Sequence, residues 1–119
     1  MKAMFVNEDE YPFAYWIASR KKWIETRSRN MLRQLVGERV AVVRTKRGQT
    51  PMVIGYVFVC GGSFEKHPED YRHLTMIPEG SKYDTKEGRW FYALAFAEEC
   101  KPYPLPAEAV RHGRSWCEF

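Results

Sequence analysis

The chain has 119 residues, 45% apolar, 29% charged and 15% aromatic, which excludes a disordered segment and sets one domain spanning residues 1–119 as the expectation. The net charge of +4 is unevenly spread: residues 1–60 carry eleven Lys or Arg against five acids, and residues 61–119 carry eight against ten. Three distant cysteines (Cys60, Cys100, Cys117) exclude a disulfide framework and a zinc spacing; no apolar run approaches the roughly 18 residues of a membrane span, and MKAMFVNEDEY is no signal peptide. A soluble cytoplasmic protein with no cofactor, no metal and no membrane partner is the expectation.

In chain order, KAMFV predicts a short strand and NEDE breaks it. YPFAYWIAS predicts a helix, with Pro12 in its first turn, Phe13, Trp16 and Ile17 as its apolar residues, and an end near Ser19. KWIETR alternates, with Trp23, Glu25 and Arg27 on one face and Lys22, Ile24 and Thr26 on the other, so it predicts a strand. RNMLRQLVG predicts a second short helix stopped by Gly37. RVAVVRT is a β-branched strand, KRGQT its turn, and PMVIGYVFVC a buried strand with a bulge or bend at Gly55.

The polar stretch 61–88 predicts a long connection with one helical turn at PEDYRHL, in a position to lid a cleft. RWFYALAFAEEC is a second long strand. The spaced prolines of KPYPLPAEAV forbid a helix, and HGRSWCEF closes the chain as a strand. The sum is a mainly β protein with short helices (α+β): about five or six strands curled into a small barrel, with two N-terminal helices.

Residues Arg20 to Arg47 hold ten bases (Arg20, Lys21, Lys22, Arg27, Arg29, Arg33, Arg39, Arg44, Lys46, Arg47) and two acids, Glu25 and Glu38. A one-sided field of this kind attracts anions, nucleic acid being the commonest large one. Within it, Glu25 and Arg27 share a face, while Lys22, five residues before Arg27, points to the other face of an ideal strand; a bulge or a position at the strand's end would let all three converge. Lys22 and Arg27 suit a phosphate or a base edge, and Glu25 orients them or accepts from an exocyclic amine. Tyr11, Trp23 and Trp116 are candidates to stack a base. Arg20, Lys21 and Arg29, with Arg44, Lys46 and Arg47, add a sequence-independent phosphate field. His112 and Ser115 are candidates to face the same cleft. His67 and His73 match no metal spacing, and no G-x-S-x-G element or phosphate loop is present.

The order M-K-A strand, short helix, then SRKKWIETR resembles the ASCH (activating signal cointegrator homology) domain, whose signature pairs Lys, Glu and Arg at the spacing of Lys22, Glu25 and Arg27. GERVAVV, VIGYVFV, WFYALAF, YPLP and the closing G-x-S-W extend the resemblance over nearly the whole chain, although Ser19 to Lys21 stand where the family usually has glycine. The resemblance implies a fold similar to the RNA-binding PUA domains, with a cleft lined by the K-x-x-E-x-R residues. One branch hydrolyses the acetyl amide of acetylated cytidine with a Lys, a Thr and a distant Glu. Lys22 fits the Lys, Glu25 stands at the Thr position, and no residue is assigned to the distant Glu.

Three functions follow. The first is binding of RNA or a nucleotide-like ligand in that cleft. The second is hydrolysis of a modified nucleoside or RNA, with Lys22 and Glu25 as catalytic residues. The third is a protein-interaction module whose basic face meets an acidic protein partner.

Overall fold

A computed structural model describes residues 1–119. The elements are β1 (Lys2–Asn7), α1 (Phe13–Ala18), β2 (Ile24–Arg27), β3 (Arg39–Thr45), β4 (Met52–Glu65), α2 (Arg72–Thr75), β5 (Arg89–Pro104), β6 (Val110–His112) and β7 (Trp116–Glu118), with 3-10 turns at Arg33–Leu35 and Pro68–Tyr71. They form one sheet in the order β2-β5-β4-β3-β1-β7-β6. β1 runs parallel to β3 and all other neighbours are antiparallel. No helix is long and apolar enough to cross a membrane.

Three expectations are corrected. There are seven strands rather than five or six. The sheet is open: its edge strands, β2 and β6, hold four and three residues and do not pair with each other, so no barrel closes. Only one α-helix precedes β3. Between Arg29 and Gly37 the chain makes a single 3-10 turn, because Leu32 and Leu35 are buried while Val36 is exposed. One buried position every third residue suits the three-residue turn. The Leu32 N–H donates to the Tyr92 hydroxyl at 3.3 Å instead of to a helical carbonyl. Gly37, at φ +83°, then turns the chain into β3.

β1 and β3 are buried on both faces, which is why they read as apolar runs rather than as alternation. Met4, Val6, Val40 and Val42 pack with Phe13, Ala14 and Ile17 of α1. Ala3, Phe5, Ala41 and Val43 pack on the other side with Val53 and Cys117. The β4–β5 hairpin is long and repeatedly loses register, at Val53/Gly55, Tyr56/Phe58 and Val59/Gly61. The bend expected at Gly55 is one of these. A Cβ there would stand 2.5 Å from the Glu98 carbonyl oxygen and 3.0 Å from the Ala18 Cβ, so α1 and β5 close over a position that only glycine fits.

Candidate functional site

The site begins where α1 ends. Lys21 and Lys22 both donate their backbone N–H to the Trp16 carbonyl at 2.9 Å, and Arg20 makes the turn at φ +69°. Lys22 therefore lies ahead of β2, outside the alternation that the sequence suggested for residues 22–27. Its side chain turns inward, 1% exposed, to the side where Glu25 lies. The Lys22 ammonium donates to the Thr75 carbonyl, stands 3.8 Å from Glu25 Oε1 and lies 5.2 Å from the centre of the Phe13 ring.

Glu25 is held on both oxygens. Oε1 accepts the Thr26 N–H at 3.1 Å, and Oε2 accepts from Arg27 Nη2 at 3.0 Å and Nε at 3.3 Å. Arg27 Nη2 also donates to the Phe5 carbonyl of β1 at 2.7 Å. Arg89, at the start of β5, donates to the Thr26 hydroxyl at 3.0 Å and carbonyl at 3.2 Å. Burial pulls the Lys22 pKa below the ordinary lysine value; Glu25 opposes the fall, and Arg27 and Arg89 add to it.

These groups line a cavity of about 430 Å³, within the range of roughly 300–1,000 Å³ usual for small-ligand sites. Its polar lining is Lys22, Glu25, Thr26, Arg27, Arg89, Arg111 and Arg114, with Asn7 and Thr45; Phe5, Val6, Phe13, Ile77 and Tyr83 supply apolar and aromatic wall. Five cations thus meet one carboxylate. Arg111 lies over the Phe5 ring at 4.9 Å, and it and Arg114 are exposed arms on the β6–β7 hairpin. The segment expected as a lid forms a wall: Thr75, Ile77 and Tyr83 come from it, and the Arg72–Asp84 pair at 2.8 Å, with the Gly80 N–H on Asp84 at 2.9 Å, ties it together.

The structure brings Lys22, Glu25 and Arg27 together and places the other candidates elsewhere. Tyr11 packs beside Phe13, with ring centres 5.5 Å apart, and is absent from the cavity lining. Trp23 and Arg20 border a second cavity, and Lys21 is exposed with its ammonium 5.9 Å from the Tyr15 ring centre. Arg29 is exposed on the loop after β2. His112 stacks on Trp116 at 4.1 Å and pairs with Glu118 at 3.1 Å; Ser115 receives the Phe5 N–H on its carbonyl at 3.0 Å. None of these last three lines the cleft, although their neighbours Arg111 and Arg114 do. Arg89, Arg111, Arg114 and Tyr83 were missed. The sole sequence signal for any of them is that Arg114 sits inside the closing G-x-S-W.

No family model matches the sequence, and no curated protein matches it. Among solved structures, ASCH from Zymomonas mobilis aligns with a TM-score of 0.68 at 20% identity, covering 87% of this chain and 73% of that one. Two single-residue variants of the same protein align similarly. The tyrosine-to-phenylalanine form gives 0.63 at 19% identity, over 88% of this chain and 77% of that one. The serine-to-alanine form gives 0.62 at 19%, over 86% and 73%. The chain has the ASCH fold.

Proposed function

We propose that this ASCH-fold chain binds RNA or a nucleotide-like ligand in the cleft built on Lys22, Glu25 and Arg27. The observation that carries the reading is the charge of the lining: Lys22, Arg27, Arg89, Arg111 and Arg114 against Glu25 alone. Arg27 commits Nε and Nη2 to Glu25 and the Phe5 carbonyl, so it holds the floor in place. Arg111 and Arg114 take part in no ion pair and are free to meet phosphate oxygens. Phe13 and Tyr83, with ring centres 5.4 Å apart, offer an apolar wall to a base.

The test is fluorescence anisotropy of a labelled short single-stranded RNA at two salt concentrations, with wild type beside the Arg111→Ala/Arg114→Ala variant. Both residues are exposed, so the variant keeps the fold. Wild type binds with a steep salt dependence, and the slope falls by about 0.7 for each phosphate contact removed. A folded double variant with unchanged affinity and slope refutes the reading.

A second reading, hydrolysis of an acylated nucleoside, draws on one observation: a buried lysine ammonium with a carboxylate 3.8 Å away. Glu25 would take a proton from water as the water oxygen attacks the acyl carbon. The Lys22 ammonium would steady the oxyanion, and the C–N bond would break as the leaving nitrogen takes up a proton. Turnover of an acylated cytidine that disappears in Lys22→Ala supports it; no turnover across a panel of acylated nucleosides rejects it.

A further inference from the structure

Beside the cleft, on the far side of the Lys22 backbone turn, lies a second cavity of about 250 Å³ with Trp23 and Phe96 on its border. Both rings face solvent, Trp23 at 49% exposure and Phe96 at 77%. Arg20 and Ala97 complete the rim, and no lining residue is acidic. Glu98, next along β5, is turned to Arg39 at 3.0 Å.

The backbone here is strained. Three non-glycine residues have positive φ: Arg20 (+69°), Met76 (+59°) and Phe96 (+52°). Arg20 and Phe96 border this cavity, and Met76 lies between Thr75, which accepts from Lys22, and Ile77 of the cleft wall. Phe96 sits in a bulge: Tyr56 pairs with Glu98 and Phe58 with Ala95, so Phe96 and Ala97 both face the single residue Val57. Arg20 Nε reaches across to the Ala97 carbonyl at 2.6 Å and ties the two strained turns together. A left-handed phenylalanine that leaves its ring in water is costly twice over, in backbone and in solvation, and such positions cluster at functional sites.

Lys22 borders both cavities and Trp23 is the next residue, so the two sites adjoin with Cα atoms about 3.8 Å apart. From this juxtaposition we infer that the nucleotide flanking the one in the cleft stacks on Trp23 and Phe96, and that the ligand is a single strand of two or more nucleotides rather than a free nucleotide. Two solvent-facing rings beside Arg20 and Lys21, with no carboxylate on the rim, match the stacking platform and cationic track of single-strand binders. The inference rests on the cleft reading above.

The experiment compares a mononucleotide with a short unstructured oligoribonucleotide, by competition against a labelled oligomer, for wild type, Trp23→Ala and Phe96→Gly. Glycine relieves the left-handed backbone while removing the ring, so Phe96→Gly raises the melting temperature, and loss of binding in it cannot be blamed on unfolding. Wild type prefers the oligomer. Each variant weakens oligomer binding roughly 5- to 150-fold, the loss of one stacked base, and leaves mononucleotide affinity within about twofold. A wild type that binds the mononucleotide and the oligomer equally overturns this inference alone, as do variants with unchanged oligomer affinity. Variants that instead lose a nuclease-resistant protein partner reassign the face to protein docking. A wild type that binds neither ligand overturns the cleft reading and this one together.

Discussion

Replacing Glu25 by Gln removes the single negative charge from the cleft while keeping its shape. The Lys22 ammonium lies 3.8 Å from Oε1 and the Arg27 guanidinium 3.0 Å from Oε2. At an effective dielectric of about 20, the two pairs are worth roughly 4 and 5.5 kcal/mol before desolvation is counted. Glutamine keeps an acceptor for the Thr26 N–H or for Arg27, but turns an amide N–H₂ toward a cation. Breaking a buried pair by removing one partner costs about 3–5 kcal/mol, because the remaining charge is left uncompensated. That is a large share of the roughly 5–15 kcal/mol that holds a small domain folded. With a urea slope of about 1.5–2 kcal/mol/M, the midpoint falls by about 2 M. The assay is equilibrium urea unfolding at neutral pH, followed by tryptophan fluorescence and far-UV circular dichroism. The Lys22→Met/Glu25→Gln double variant recovers part of the loss, since the stranded ammonium is then absent. A midpoint shift below about 0.5 M would place the pair among surface ion pairs worth about 1 kcal/mol or less. It would refute the claim that Glu25 organises the cleft floor.

Two further outcomes follow from the geometry. Gly55→Ala drives a Cβ to 2.5 Å from the Glu98 carbonyl oxygen and 3.0 Å from Ala18, so it destabilises by about 1–3 kcal/mol as α1 or β5 shifts; thermal unfolding with no loss would show that the bulge relaxes freely. The Lys22 effect on stability depends on pH with a definite sign. Burial lowers its folded pKa below the ordinary 10.5, so above the folded value the unfolded chain binds more protons and stability rises with pH up to about 10.5. Tyr92 and Cys117, whose pKa values burial raises, act in the opposite direction at alkaline pH. The comparison is therefore wild type minus Lys22→Met. That difference grows in favour of wild type as the pH rises through the lowered folded pKa toward 10.5 in urea unfolding curves, and a flat difference would mean that Lys22 is not desolvated.

Much of the framework is legible in the residues themselves. β1, α1, β3, β5 and β4 as far as Cys60 follow from runs and periods that reflect which faces are buried, and Gly55 marks a place where the chain must bend; β4 continues to Glu65 through residues expected in the connection, because Gly61 to Glu65 pair with β5. The K-x-x-E-x-R spacing puts Lys22, Glu25 and Arg27 within a few residues of one another, so one turn and one short strand suffice to join them. Local pattern fails where tertiary contact decides. Alternation assigned Lys22 to the face opposite Glu25, but the Trp16 carbonyl captures its N–H before the ladder begins. Apolar residues at 31–36 suggested a helix, and burial of only Leu32 and Leu35, with Tyr92 supplying a hydroxyl, left a single 3-10 turn.

The charge of the cleft is the clearest case. Arg89 meets Thr26 across 63 positions of sequence, and Arg111 and Arg114 arrive from a hairpin near the chain's end. Their arrival depends on β2 pairing with β5 and β7 pairing with β1. The sequence by itself determined which strands exist and that one acid stands among bases; which bases surround that acid was decided by the order of strands in the sheet. That order is a property of long-range pairing, set by how buried faces fit together, and no short window of residues contains it.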